Sequence, residues 1–567
     1  MPASSDGVSL KPQNARRCRW FSAPAALVPA RLLLAALLSA VACGRAPDPA
    51  PPEQPAGPLT GGTAIVAEAS DITSLNPLLD AGKSFNEDIF DALYLQLFEE
   101  QSGFAEGTPA FAPELATSWQ WSEDRRTLSI ELRPDVVWSD GVPLTAEDVV
   151  WTWRMQTDDR IAWSYAGLKE SILEIKAVDT GRLLVRFDSP SPTRLAELNQ
   201  GHILPRHRWR ELPAESWRSS GEWFRDNLVV SGPFRLADWQ PDQQIVLERN
   251  PAYYRAGFPR LDRVVFRIIP EPSNRLTQLL AGAVDFVAAV PPAAARQIEA
   301  DPDTRLVSFW ARQFNFVEWN LARPMFAEAA ARRALTQAVD RPRIVDTLWF
   351  GHAKVASSPI ISSVWGHRAD PGPWPYDPVR AAEELAALGW RDEDGDGVLD
   401  RRGQRFEFEL LTNSGGRVRS DAMVMIQEDL RRIGVAARPR QLELNTTVDK
   451  MKQHDFDAVL FGFNIDTSLD LTYGFHSKSI ADGYNFGGYA NPEVDRLIDA
   501  ARVEGDPAQR EWLLREIQGI LHDEQPLTFL WEPQQLNGVS LRLRGVQPNP
   551  LSPLFNLEEW WLAAASR

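Results

Sequence analysis

Residues Pro113–Trp153 read PELATSWQWSEDRRTLSIELRPDVVWSDGVPLTAEDVVWTW. Leu128, Ile130 and Leu132 alternate with polar neighbours, the period of a half-buried strand. Thr145 stands three residues before Asp148, a capping-box spacing, ahead of an apolar stretch that starts at Val149. A strand and a well-started helix thus lie within one short stretch. Outward from it, Ile172–Val178 and Leu183–Phe187 flank Asp179-Thr180-Gly181 as a hairpin, and Val264–Ile269, Phe406–Leu411 and Phe456–Phe463 read as further strands. Asp377-Pro378, Asn491-Pro492 and Asp506-Pro507 each put a capping side chain before a proline at the first helical position. After Asn491, the residues Val494, Leu497, Ile498 and Ala501 share a face; after Asp506, Trp512, Leu513, Ile517, Ile520 and Leu521 do so. The pattern is that of a mixed α/β body with several lobes.

The chain has 567 residues, 44% hydrophobic and 24% charged, which excludes a wholly disordered or collagenous polymer. At about 100–200 residues per domain, the length suggests two to four folded units. A net charge of −17 argues against duplex nucleic acid and against general adsorption to anionic lipid. The two cysteines, Cys18 and Cys43, leave the rest of the chain without a disulfide framework, a cysteine nucleophile or a thiolate zinc site. Basic residues (Lys11, Arg16, Arg17, Arg19, Arg31) precede an apolar run, Leu32–Ala42. As a helix that run covers roughly 16 Å against a hydrocarbon core of about 30 Å, too short for a span and suited to a secretory signal over residues 1–42. Ala40-Val41-Ala42-Cys43-Gly44 resembles a bacterial lipobox, which makes Cys43 the expected lipidation site; an ordinary signal with an incidental Cys is the alternative. Residues 43–62, with Pro47, Pro49, Pro51, Pro52, Pro55 and Pro58, form an expected extended stalk.

The residues offer no positive case for an enzyme. The seven histidines include no HxH or i, i+4 metal pair, and HExxH, GxSxG, Walker A and strand-linked GxGxxG motifs are absent. No carboxylate pair stands out for glycoside hydrolysis, and no cofactor is implied. Asp392, Asp394, Asp396 and Gly397, with Asp400 at the ninth position, match the first part of a calcium loop. Gly403 occupies the twelfth position where a bidentate acid belongs, and an Asp- and Gly-rich turn accounts for the same residues without metal.

Other blocks extend the opening stretch, whose Leu115-Ala116 precedes Ser118-Trp119 and whose Trp138-Ser139-Asp140-Gly141 leads to Thr145-Ala146-Glu147-Asp148. They are Leu75-Asn76-Pro77, Ile203-Leu204-Pro205 with His207, Gly232-Pro233-Phe234 before Trp239 and Arg249-Asn250, and Gly282-Ala283-Val284-Asp285. Arg333-Ala334-Leu335, Ala338-Val339-Asp340-Arg341 and Asn485-Phe486-Gly487-Gly488-Tyr489 follow in order. Together they resemble the extracellular solute-binding proteins of the peptide/nickel/opine family, family 5, the receptors of ABC importers. The resemblance implies an α/β type II periplasmic-binding-protein fold: two hinged lobes, with an extra subdomain in the first. Lobe I is expected over 63–300 with its insert at about 76–228, lobe II over 301–514, and a return to lobe I over 515–567.

It further implies an exported, periplasmic or cell-surface monomer, anchored to a membrane by lipid, that captures a peptide or similar small solute by lobe closure. Its partners would be that ligand and an ABC permease and ATPase complex. Alternatives are a lipid-anchored surface protein without a transport role, and a hydrolase of peptides or sugars. In peptide-binding members an Asp after a second-lobe strand pairs with the ligand's α-ammonium. The matching stretch is Gly462-Phe463-Asn464-Ile465-Asp466, which points to Asp466 with Phe463 and Asn464 beside it. Thr467-Ser468-Leu469-Asp470 replaces the family's usual Asp-Pro-Asp run, so Asp470 stays an alternative, as does a helix-capping role for this Asp. The 21 tryptophans suit a receptor that buries its ligand. Trp319 with Asn320, Trp365, and Tyr484 with Asn485 complete the expected cleft residues.

Overall fold

Strand Thr63–Glu68 runs parallel to Arg263–Ile268 on one side and Phe286–Val287 on the other in the computed structural model, which describes residues 58–79, 84–104 and 107–563. The expected signal, Cys43 and most of the proline-rich segment lie outside the described residues. Gln244–Arg249 and Phe234–Gln240 extend this sheet antiparallel. A second group of strands pairs Gln313–Trp319 with Ala458–Asn464 antiparallel, followed by Glu407–Asn413 and Ala436–Leu442 in parallel. The 14-residue strand Leu527–Ser540 joins the two groups. Its first half pairs with Gln313–Trp319 and Ala353–Val355, its second half with Thr304–Trp310 and Phe286–Val287.

The apolar side chains follow this division. Val66, Phe266, Phe286 and Val539 are buried in one cluster, and Val317, Leu460, Leu530 and Trp531 in another. Phe314, Leu497, Leu514, Ile517 and Phe529 fill a third, on the second side. The mixed sheet with two centres of burial is the expected α/β, two-lobed architecture. The extra subdomain is an antiparallel four-stranded sheet, ordered Ala116–Trp121, Thr127–Leu132, Arg182–Phe187, Ile172–Ala177, with helix Ala146–Gln156 against it. Leu128, Ile130 and Leu132 all point inward, as their alternation requires. No helix among the described residues is long and apolar enough to cross a membrane.

The capping signals act locally as read. The Thr145 amide donates to the Asp148 carboxylate at 2.8 Å. Asp377, Asn491 and Asp506 accept from the amides of Arg380, Glu493 and Gln509, each at 2.9 Å. Two readings need correction. Trp512 is 50% exposed, because the buried face of Pro507–Glu524 is rotated to carry Leu513, Leu514, Ile517 and Leu521. The expected return to lobe I at residue 515 falls inside that helix, whose apolar face packs wholly in the second lobe's core. The change of core comes later, within Leu527–Ser540: Phe529 and Trp531 belong to the second side, Leu536 and Val539 to the first.

Candidate functional site

A cavity of ≈ 610 Å³ opens beside the crossing strand, walled mainly by the first side with Asn464 from the second. Glu68 ends its strand there, Asn464 ends Ala458–Asn464, and Arg312 lies in the two-residue link between Thr304–Trp310 and Gln313–Trp319. The carboxyl ends of strands in such sheets are natural ligand positions, because the chain turns away and leaves a crevice. Asp88, Arg275 and Ser552 complete a polar lining. Burial pushes the Glu68 carboxyl up to about 8, Asp88 adding to the rise and Arg275 opposing it. Burial also raises Asp88 to about 7, against the hydroxyl of Ser552, which donates to it. Arg312 donates from Nε to the carbonyl of Pro550 and from Nη1 to that of Ile465, both at 2.9 Å, and so ties the two sides together.

Asp466 lies two residues beyond Asn464 and is accessible to solvent. Its Oδ1 accepts from the Ser468 hydroxyl at 2.7 Å and from the Asp470 amide at 3.4 Å. Desolvation by the atoms around it raises its carboxyl above the usual range, with the Ser468 hydroxyl opposing. Asp470 is committed elsewhere. It accepts from the Thr472 amide at 2.9 Å and pairs with Arg502 at 3.3 Å. Asp470 is thus held by Arg502 and the turn before Thr472–Phe475, whereas Asp466 has no ion pair among the described residues. Phe463 is half-buried, 4.8 Å from Phe316 and 6.0 Å from the half-exposed Tyr484 between ring centroids, which builds an aromatic wall next to Asn464.

Four expected cleft residues are structural. Trp319 is wholly buried; its Nε1 donates to Thr528 Oγ1 at 3.1 Å, and its ring packs 4.9 Å from that of Phe326. Gln313–Trp319 is buried on both faces, and Trp319 lies in the same core cluster as Val317. Asn320 donates to the carbonyls of His454 and Phe456 and accepts from the Ala322 amide, so its amide group locks a turn. Asn485 does the same with the carbonyls of His476 and Tyr489 and the amide of Tyr489. Trp365 is buried against the second core, under Arg510 at 5.1 Å, and its amide donates to the carbonyl of Phe104 at 2.7 Å. Glu68, Asp88, Arg275 and Arg312 escaped the sequence reading, since nothing local marks residues that converge from distant segments. The position of Glu68 at a strand's carboxyl end is the one usable signal.

In the Asp-rich loop, carboxylate oxygens of Asp392, Asp394 and Asp400 lie within 4.8 Å of one another. Asp396 departs from the expected set: it pairs with Arg405 and accepts from the Val398 amide. Asp392 accepts from the amides of Gly395 and Gly397, the bonding of an Asp–Gly turn.

The profile of bacterial extracellular solute-binding proteins, family 5 Middle, matches residues 110–484. The oligopeptide-binding protein AppA of Bacillus subtilis is 30% identical over 541 residues, covering 94% of this chain and 97% of AppA. Its structure with a nonapeptide superposes with a TM-score of 0.77, covering 89% of this chain and all of that one. The dipeptide-binding protein of Escherichia coli is 25% identical, covering 82% of this chain and 88% of its own length. NikZ of Campylobacter jejuni, in complex with Ni(L-His), shares the fold at 22% identity and a TM-score of 0.76, covering 88% of this chain and 99% of NikZ. With a family match across most of the folded body and a relative aligned nearly end to end, this chain belongs to family 5 of the bacterial extracellular solute-binding proteins.

Proposed function

We propose that this protein captures peptides outside the cytoplasmic membrane and delivers them to an ABC permease with its ATPase. The observation that carries the reading is the accessible carboxylate of Asp466, which has no ion pair among the described residues and lies two residues beyond Asn464 in the wall of the polar cavity. An ammonium 4 Å from a carboxylate is attracted by about 4 kcal/mol at an effective dielectric near 20, before desolvation is counted. The link at Ala311-Arg312 and the strand Leu527–Ser540 are the natural hinges for closing the lobes over a ligand. Closure shifts the population toward a form that the permease recognises. The similarity to oligopeptide- and dipeptide-binding relatives supports peptide as the ligand class.

Mass spectrometry of small molecules retained by the natively expressed protein tests this: short peptides are expected, and a retained metal chelate or opine in their place would refute the peptide class. We also propose that the mature chain starts at an acylated Cys43 and is held at a membrane as a monomer. Replacing Cys43 with Ala should move the protein into soluble fractions, and unchanged detergent partitioning refutes the anchor.

A further inference from the structure

The strands Phe98–Glu100 and Phe111–Pro113 pair as a hairpin rooted in the first core. Phe98 is wholly buried there, its ring 6.0 Å from that of Phe111 and 4.6 Å from that of Trp119. Past Glu100 the chain leaves this core. Phe104 is 2% exposed and lies in the third cluster, among second-side residues that include Phe314, Ile360 and Trp365. Its carbonyl accepts from the Trp365 amide at 2.7 Å, and the Arg312 guanidinium sits 5.8 Å from the centre of its ring. A first-lobe segment thus puts an aromatic knob into a second-lobe socket. A second contact of this kind borders a cavity of ≈ 270 Å³, where Trp121, Arg125 and Ser191 of the first-lobe subdomain meet Val503, Gly505 and Arg510 of the second lobe. The Ser191 hydroxyl donates to the carbonyl of Arg502 at 2.7 Å. Neither Phe104 nor Ser191 lines the cavity of ≈ 610 Å³.

Resting on the lobe closure proposed above, we infer that Phe104, seconded by Ser191, is a latch on the closed form. Both residues join the two lobes outside the wall of the ligand cavity. Opening therefore has to draw the ring out of its socket and part Ser191 from Arg502, and closing restores both. Burial of one phenylalanine side chain favours docking roughly ten- to a hundredfold. That bias acts with or without ligand. It sets what share of the empty molecules is already closed, and it scales the affinity for every ligand alike. Phe104 is a positioning residue, acting on affinity through the lobes.

The test uses the full-length protein with Phe104→Ala, Phe104→Leu and Ser191→Ala. Small-angle X-ray scattering of protein freed of small molecules reads the open share. Titration with a mixture of random-sequence pentapeptides, followed by thermal shift, reads affinity. Phe104→Ala should enlarge the ligand-free radius of gyration and raise the half-saturating peptide concentration roughly tenfold or more, while the saturated protein keeps the parental radius. Phe104→Leu still fills the socket and should recover most of both. A lower melting temperature in Phe104→Ala with parental radius and parental half-saturation makes the ring fixed packing in both forms and overturns the latch. Where Phe104→Ala fails to fold, Ser191→Ala decides: losing one net hydrogen bond should raise the half-saturating concentration about 2- to 10-fold, and a parental value overturns the inference. If the pentapeptides leave the parent's melting unshifted, the peptide reading falls and the ligand-free radii decide alone: enlargement in Phe104→Ala upholds the latch, and equal radii overturn it.

Discussion

Truncating Trp319 separates a core residue from a ligand contact, the two roles between which sequence and structure differ. The indole is wholly buried, with Phe326 and Phe408 centred 4.9 and 5.8 Å away. Trp319→Ala removes this packing and leaves a cavity, at a cost of about 3–5 kcal/mol. Trp319→Phe keeps a ring and loses the Nε1 bond to Thr528. Thr528 Oγ1 stays satisfied through the Thr336 hydroxyl at 2.6 Å, so no buried acceptor is orphaned. The loss should then be only about 1–2 kcal/mol, from one net hydrogen bond and imperfect ring fit. Urea unfolding followed by circular dichroism reads the stability, and retention of the native ligand at low urea reads the site. The expected result is a large fall in midpoint for Trp319→Ala, a small one for Trp319→Phe, and parental ligand retention in both. A parental midpoint combined with lost retention would place Trp319 in the cleft and refute the core assignment.

Three other outcomes follow from the geometry. Glu318 is buried; its Oε1 accepts from the Gly487 amide at 2.7 Å, and burial lifts its carboxyl to about 8 from an ordinary 4.5. The folded state therefore holds a proton that the unfolded chain releases, and the stability this contributes is lost as pH rises through about 8. Glu318→Gln should match the parent near the acidic end of that window and exceed it above pH 8, and parallel urea midpoints across the range would contradict the buried neutral acid. Asp506→Ala removes the acceptor of the Gln509 amide and should cost about 1 kcal/mol in the same assay, without altering ligand retention. Chelation should leave the melting temperature unchanged, because Asp392 and Asp396 are already occupied by backbone amides and Arg405; a clear drop would establish a bound cation in the Asp-rich loop.

Elements and their ends were legible along the chain because their causes are local. Alternation at Leu128, Ile130 and Leu132 sets one face of a strand inward. Asp377, Asn491 and Asp506 each cap the helix that follows, since their partners lie two or three residues on. The ordered family blocks carried the fold class, and with it the expectation of an anchoring Asp near residue 466. Which side chains face the cavity was not legible. Trp319, Asn320 and Asn485 have the composition of ligand contacts, but strand direction and backbone hydrogen bonds beyond local reach commit them to the core and to turns. The end of the second lobe was also misplaced, because a periodic pattern marks a buried face without saying which core receives it. Only the pairing of Leu527–Ser540 with strands of both groups decides where the chain crosses. The same holds for Glu68, Asp88, Arg275 and Arg312. They come from segments far apart in sequence, and it is the tertiary arrangement, through the crevice it leaves beside the crossing strand, that makes them neighbours.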